Sequence, residues 1–345
     1  MSPEHNLAID IHAHVATPAC QTLVEGLFSP QMEPFSFYGG KETNDYNAGH
    51  FGGLMPKLTD PEERLVDMDR MGIDVQALSV APPQYYYWAD PGLGRKLARM
   101  QNEHLAEMVA GHPDRFVGMT TVPLQDVDAA IAELEYGIRD LGFRGVEICT
   151  NVNGLDLDDG RFRPFFAKAQ ELDALVIMHP HGFTHGERLM KYYLSNVIGN
   201  PLDSTIALTR MIYGGVFEDF PALKVCVVHS GGYLPFYSSR MDHAYEERPE
   251  GRHHITRPPS SYLRQVYFDC LVFDAAHLEF LIKQMGADHV VLGTDYPYDM
   301  GSYEPLKQLG DVPGLSAEQV EQIRGGTASV LLNLHQAPLP GRRQA

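Results

Sequence analysis

Eight short runs of apolar and β-branched residues recur along the chain, at 8–12, 75–80, 116–122, 145–149, 175–179, 225–229, 266–270 and 289–294. Most of the intervals hold a stretch such as PEERLVDMDRMG, VDAAIAELEYGIRDLG, FRPFFAKAQELD or DAAHLEFLIKQMG, in which apolar residues return every three or four positions. Strand then helix, repeated, implies a parallel sheet, because parallel neighbours need a crossover between them. ALVIMH and KVCVVH are apolar at nearly every position, as strands covered on both faces must be. Eight such units favour a (β/α)8 TIM barrel over an open doubly wound sheet. The first run is not followed by Gly-x-Gly-x-x-Gly, so dinucleotide binding loses its main support. Two intervals are too long for simple connections, which predicts an insertion after strand one (15–60) and another after strand five (182–220). Residues 1–335 read as one domain, and 336–345 (QAPLPGRRQA) as a frayed tail.

Charge narrows the partners. With 27 Lys+Arg against 45 Asp+Glu the net charge is −18, which repels nucleic acid and anionic membrane. A small carboxylic acid is still admissible, since one metal ion or a few arginines can bind it locally. No apolar run is long enough for a membrane span, and MSPEHN does not open a leader peptide, so the expected location is cytoplasmic. Cys20, Cys149, Cys226 and Cys270 are widely spaced and read as buried free thiols.

In such a barrel, chemistry projects from the C-terminal ends of the strands. Strand one ends in His12 and His14, strand five in His179, strand six in His229 and strand eight in Asp295. Residues i and i+2 of a strand face the same way, so His12 and His14 can share one ion. With His179 and Asp295 they form a His3Asp donor set that suits Zn²⁺ and also accepts Mn²⁺. The His-x-His pair alone says little; the four positions together carry the signal. His229 reads as a general acid/base, with a fifth ligand or a hydrogen-bonded barrel residue as alternatives. Glu147 could bridge a second ion, but strand four has no lysine for such a site, so one ion is favoured. His181 reads as a substrate contact or a loop histidine, and His253 and His254 as solvated surface.

His-x-His closing strand one, HP after strand five, HSGG after strand six and GTDYP after strand eight resemble the amidohydrolase superfamily, in its aminocarboxymuconate-semialdehyde decarboxylase-like branch. VPLQD (122–126), DPEERLVDMDRMGIDVQ (60–76) and RPPSSYLRQVYFD (257–269) add to a likeness that spans nearly the whole chain. The resemblance implies one zinc ion on His12, His14, His179 and Asp295, with His229 working on metal-bound water. It also implies that Arg240, eleven residues after His229, reaches a substrate carboxylate in a neighbouring subunit, hence a homodimer. The decarboxylase of this branch carries a second carboxylate-binding arginine before the DP that opens the next helix. HFGGLMPKLTDP has none, so either His50 or Lys57 stands in or the substrate lacks that carboxylate. Trp88 in QYYYW, Tyr192, Tyr193 and Tyr298 could wall a flat substrate or equally serve core or lid packing. The expected activity is decarboxylation of a muconate-semialdehyde-like or hydroxylated aromatic acid without an organic cofactor, in which Arg240, His181, Glu147, Tyr298 and Trp88 contact substrate. Hydrolysis or hydration of a ring-cleavage product is the alternative.

Overall fold

The computed structural model describes residues 7–334; the MSPEHN start and the tail expected at 336–345 lie outside the described residues. Eight parallel strands stand side by side in chain order: β1 (Ile9–Val15), β2 (Val75–Val80), β3 (Phe116–Thr121), β4 (Gly145–Cys149), β5 (Leu175–His179), β6 (Lys224–Val227), β7 (Val266–Asp269) and β8 (Val290–Val291). Three backbone hydrogen bonds join the segment after β8 to β1. Ile11 N–H donates to Leu292 O (3.0 Å), Asp295 N–H to His12 O (2.8 Å) and His14 N–H to Tyr296 O (2.8 Å). They draw the sheet into the (β/α)8 barrel implied by the eight runs. β8 is shorter than its apolar run; beyond it the Leu292 N–H turns to Ile323 O and the Thr294 N–H to the Asp10 carboxylate.

Four of the outer helices begin alike. Pro61–Met71, Pro91–Gly111, Val127–Arg139 and Ala275–Met285 are preceded by Asp60, Asp90, Asp126 and Asp274, whose side chains accept first-turn N–H groups. This is why DP and related pairs punctuate the sequence where a strand gives way to a helix.

The apolar residues sort into two layers. Ile9, Ile11, Val75, Ala77, Val117, Met119, Leu175, Ile177, Cys226 and Val291 fill the barrel, with Ala328 and Leu331 of the last helix packed against them. Ala13, Val15, Leu78, Val80, Val146, Val176 and Val225 belong to the layer between strands and helices. Strand β1 changes layer midway: Ile9 and Ile11 lie inside, whereas Ala13 and Val15 lie outside. The cause is a bulge. Asp10 pairs with Gln76 and Ala13 with Leu78, so β1 carries one extra residue there. Strict alternation would put His12 and His14 on the face opposite Ile9 and Ile11; the extra residue turns them inward.

Between β1 and β2 lie the short helices Pro18–Val24 and Pro34–Tyr38 and the long helix Gly40–Thr59, before the barrel helix Pro61–Met71. The stretch expected as a second insertion is more ordinary than its length suggests, since 182–220 contains the helix Asn200–Tyr213. Its irregular part is the loop after β5, which meets the first segment where Gly182 (φ +80°) packs on Phe35; a Cβ there would lie 2.4 Å from the Phe35 nitrogen. All four cysteines are buried and unpaired. Among the described residues no helix is long and apolar enough to cross a membrane.

Candidate active site

The structure brings together His12, His14, His179 and Asp295, all buried, with one ligand atom of each inside a 4.8 Å span. The Asp295 Oδ1 lies 3.4 Å from His12 Nε2 and 3.2 Å from His14 Nε2. His12 Nε2, His14 Nε2, His179 Nε2 and Asp295 Oδ1 are all buried without a hydrogen-bond partner. Four orphaned donors aimed at one point cost too much to leave unmatched, and a divalent ion with ligands at about 2.1 Å nearly fills that span.

The ring orientations support the fit. His12 Nδ1–H donates to Asp269 Oδ2 (2.7 Å) and His179 Nδ1–H to Pro180 O (2.6 Å), which leaves both Nε2 lone pairs facing the centre. Burial opposes the Asp295 charge, but His12 next to it and contacts with His14 and His229 hold the carboxyl well below the usual range. Burial and the neighbouring histidines push His179 well below an ordinary imidazole. An ionised carboxylate and a neutral imidazole are the forms that bind a cation. Burial would lower His12 as well, yet Asp295 and Asp269 raise it well above 6.5.

His229 does not end a strand. It follows β6 in the left-handed region (φ +52°), with Ser230 (φ +55°), Gly231 (φ +74°) and Gly232 (φ +67°) continuing there. HSGG is therefore a strained turn, clamped by Asp269, whose carboxylate accepts the N–H groups of His229 (3.0 Å) and Ser230 (2.7 Å). The turn brings His229 Nε2 to 3.5 Å from Asp295 Oδ2 and leaves its Nδ1 unpartnered. Gly293 of GTDYP fits between His12 and Asp269, where a Cβ would stand 3.0 Å from the His12 Cβ.

The other expected residues scatter. Tyr298 lines the metal pocket, its ring 5.4 Å from His14, together with Phe35, Asn47, Phe51, Tyr193 and His181. Glu147 is not at the pocket surface: it accepts from Ser79 (2.7 Å) and Tyr85 (2.8 Å) and sits 3.9 Å from His14 Nδ1, on the side away from the ligand nitrogen. Trp88 lines an adjoining cavity of about 330 Å³, where its indole N–H donates to Glu33 (3.1 Å). The other Glu33 oxygen lies 3.2 Å from His181 Nε2, and His181 lines both cavities. Lys57 is bound to Asp67 (2.6 Å), and His50 lies 3.9 Å from Asp299; neither lines the metal pocket. Arg240 is exposed on the helix Ser239–Glu247 and does not line the metal pocket of its own chain. Tyr192 is 82% exposed, and His253 and His254 are exposed.

Sequence reasoning missed Asp269 and Glu33. The D of YFD closes strand seven just as the expected ligands close theirs, and that position was its only signal. Glu33 has none, since it sits in a loop that nothing in the pattern connects to strand five.

The amidohydrolase family model matches residues 9–334. The chain belongs to the amidohydrolase superfamily, in its aminocarboxymuconate-semialdehyde decarboxylase-like branch. It is similar to the 2-amino-3-carboxymuconate-6-semialdehyde decarboxylase of Dictyostelium discoideum, at 33% identity over 341 residues covering 95% of this chain and 92% of that one. Among solved structures it is similar to a 2,6-dihydroxybenzoate decarboxylase bound to 2,6-dihydroxybenzoate (25% identity, TM-score 0.80, covering 95% and 99%). It is also similar to the 5-carboxyvanillate decarboxylase of Novosphingobium aromaticivorans in complex with manganese and 4-hydroxy-3-methoxy-5-nitrobenzoic acid (25% identity, TM-score 0.84, covering 97% and 98%). All three are decarboxylases, so the hydrolase or hydratase alternative is not favoured.

Proposed function

We propose that this chain is a divalent-metal-dependent decarboxylase of a small muconate-like or hydroxylated aromatic carboxylic acid. His12, His14, His179 and Asp295 would hold the ion, and His229 and Asp295 would handle the proton. The observation that carries this reading is the convergence of four buried, unpartnered donors on one point, with His229 beside the fourth. Three nitrogens and one carboxylate suit zinc, and manganese is the ion named for one structural neighbour. When bound, the cation would supply Lewis-acid stabilisation of negative charge on the substrate oxygens.

Decarboxylation breaks the bond between the carboxyl carbon and its neighbour, leaves the electron pair on that neighbour, and replaces CO₂ by one proton. His229 would deliver the proton from Nε2, with Asp295 Oδ2 at 3.5 Å holding the imidazole toward the centre. Tyr298, Tyr193 and Phe51 line the space above and would keep bulk water from the reacting carbon. Among the described residues, no arginine or lysine lines this pocket. We therefore assign recognition of the substrate's acidic group to the ion and to Arg240 of a second copy, in a homodimer. The exposure of Arg240 and its absence from the lining of its own pocket support that assignment.

The test is incubation of zinc- or manganese-loaded protein with aminocarboxymuconate semialdehyde and a panel of hydroxybenzoic acids, following CO₂ and product mass. Release of CO₂ in step with loss of substrate is expected; a product that has gained water would overturn the reading. Mixing His229→Ala with Arg240→Met, each inactive alone, should restore turnover if Arg240 acts across the dimer. No recovery after subunit exchange would remove that part.

A further inference from the structure

Within the bulge of β1 and just beyond it, where the strand is back in register with β2, backbone groups are taken by side chains behind the strand. His12 N–H donates to Asp10 Oδ1 (3.0 Å), and the His14 carbonyl accepts from Nη2 of Arg64. Arg64 lies on the outer helix Pro61–Met71, yet it is 0% exposed and its guanidinium stacks 4.8 Å from the Tyr296 ring. Its Nη1 donates to Gln76 Oε1 (2.8 Å); Gln76 Nε2 donates to Asp10 Oδ2 (2.8 Å); that oxygen also accepts from Thr294 Oγ1 (2.6 Å), one residue before Asp295. Arg64 Nη2 reaches in addition the Lys57 carbonyl (3.0 Å), near the end of the helix Gly40–Thr59 that covers the metal pocket. The arginine guanidinium keeps its charge even when buried.

Burying a cation completely is costly, and the well-formed hydrogen bonds of Arg64 offset that cost. We propose that Arg64 is a positioning residue of the metal centre. It holds the bulge that turns His12 and His14 inward, through the His14 carbonyl and through the Gln76–Asp10 chain, and ties that bulge to the helix over the pocket. It touches neither the ion nor substrate. The inference rests on the metal-site reading above, and not on which reaction the site performs.

The experiment titrates Zn²⁺ and Mn²⁺ into the metal-depleted full chain against a chromophoric chelator, and records the melting temperature of each metal-free form. Arg64→Met should weaken ion binding by about ten- to hundredfold, in the range of other residues that orient ligands. Arg64→Lys, which keeps the charge but cannot span both carbonyls and Gln76, should recover part of the loss. Gln76→Leu should reproduce a smaller share of it. Arg99→Met, which breaks the ion pair with Glu133 between two outer helices, should lower the melting temperature and leave ion affinity unchanged. If Arg64→Met does not fold, Arg64→Lys and Gln76→Leu decide: wild-type ion affinity in both overturns the proposal. A wild-type chain that binds neither ion overturns the metal reading itself, which separates the two failures.

Discussion

The two sides of the pocket are built on different principles. Below lie the ends of β1, β5 and β8, where every ligand is buried and His12 and His179 are each aimed by a dedicated hydrogen bond. Above lies a cover made of the helix Gly40–Thr59 and the loop after β5, contributing Asn47, Phe51, Tyr193 and Asn196 through edge and ring contacts. The space between them is about 50 Å³, well short of the roughly 150 Å³ that holds a benzene. We expect an aromatic acid to displace part of this lining, and the cover, without the floor's dedicated hydrogen bonds, to be the part that yields. On the proposed reading the difference would separate tasks, with the floor fixing the chemistry and the cover admitting and selecting the substrate.

Removing the ion should have the largest effect. Chelation is expected to abolish turnover, with recovery on adding Zn²⁺ or Mn²⁺ but not Mg²⁺, which prefers an all-oxygen shell. Turnover that survives metal depletion, checked by elemental analysis, would take the chemistry away from the floor. Next in size, His229→Ala should lower kcat by about 10²–10⁴-fold, the usual share of a positioned acid/base. Metal content should stay at the wild-type level; a variant that also loses the ion would make His229 a ligand instead. Asp269→Asn should weaken metal binding by about 10–100-fold, because it disturbs the partner of His12 Nδ1 and the clamp on the HSGG turn together.

The same division decided what could be read in the sequence. Floor residues stand out because a histidine or aspartate at the end of an apolar run is conspicuous, and four of them at the ends of β1, β5 and β8 point to one centre. The bulge was hidden: IDIHAHV alternates perfectly, and no local pattern says that one residue of it is extra. Only the pairing with β2 reveals it. The cover was hidden for the opposite reason. Residues 40–59 carry Gly49, Gly52, Gly53 and Pro56, so intrinsic preference argues against a helix. Packing decides otherwise, with Leu54, Leu58, Phe51 and Met55 set against Ala16, Ala81 and Tyr298. A segment held by tertiary contacts against its own propensity is legible only once its partners are in place.

A cover-side change should move specificity and leave the floor untouched. Phe51→Ala, in contact range of Tyr298 at 6.3 Å between ring centroids, is expected to raise KM severalfold with metal affinity unchanged. A matching fall in ion affinity would mean that the two sides are mechanically one unit.

The smallest effect is also the most direct probe of movement. Gly52 lies in the interior of the covering helix, and a Cβ there would meet nothing within 4 Å. Alanine should therefore fit without strain and remove freedom from the unfolded and opened forms alike, stabilising the helix by about 0.4–1 kcal/mol. A shift of a degree or two in melting temperature is the expected thermal signature, with ion affinity unchanged because Gly52 touches none of the ligands or their partners. If opening of the cover limits the rate, the same change should lower kcat up to a few-fold, since each 1.4 kcal/mol on a barrier is tenfold. A higher melting temperature with unaltered kcat would instead place the slow step on the floor, and the small cavity would then describe a cover that opens faster than the chemistry beneath it.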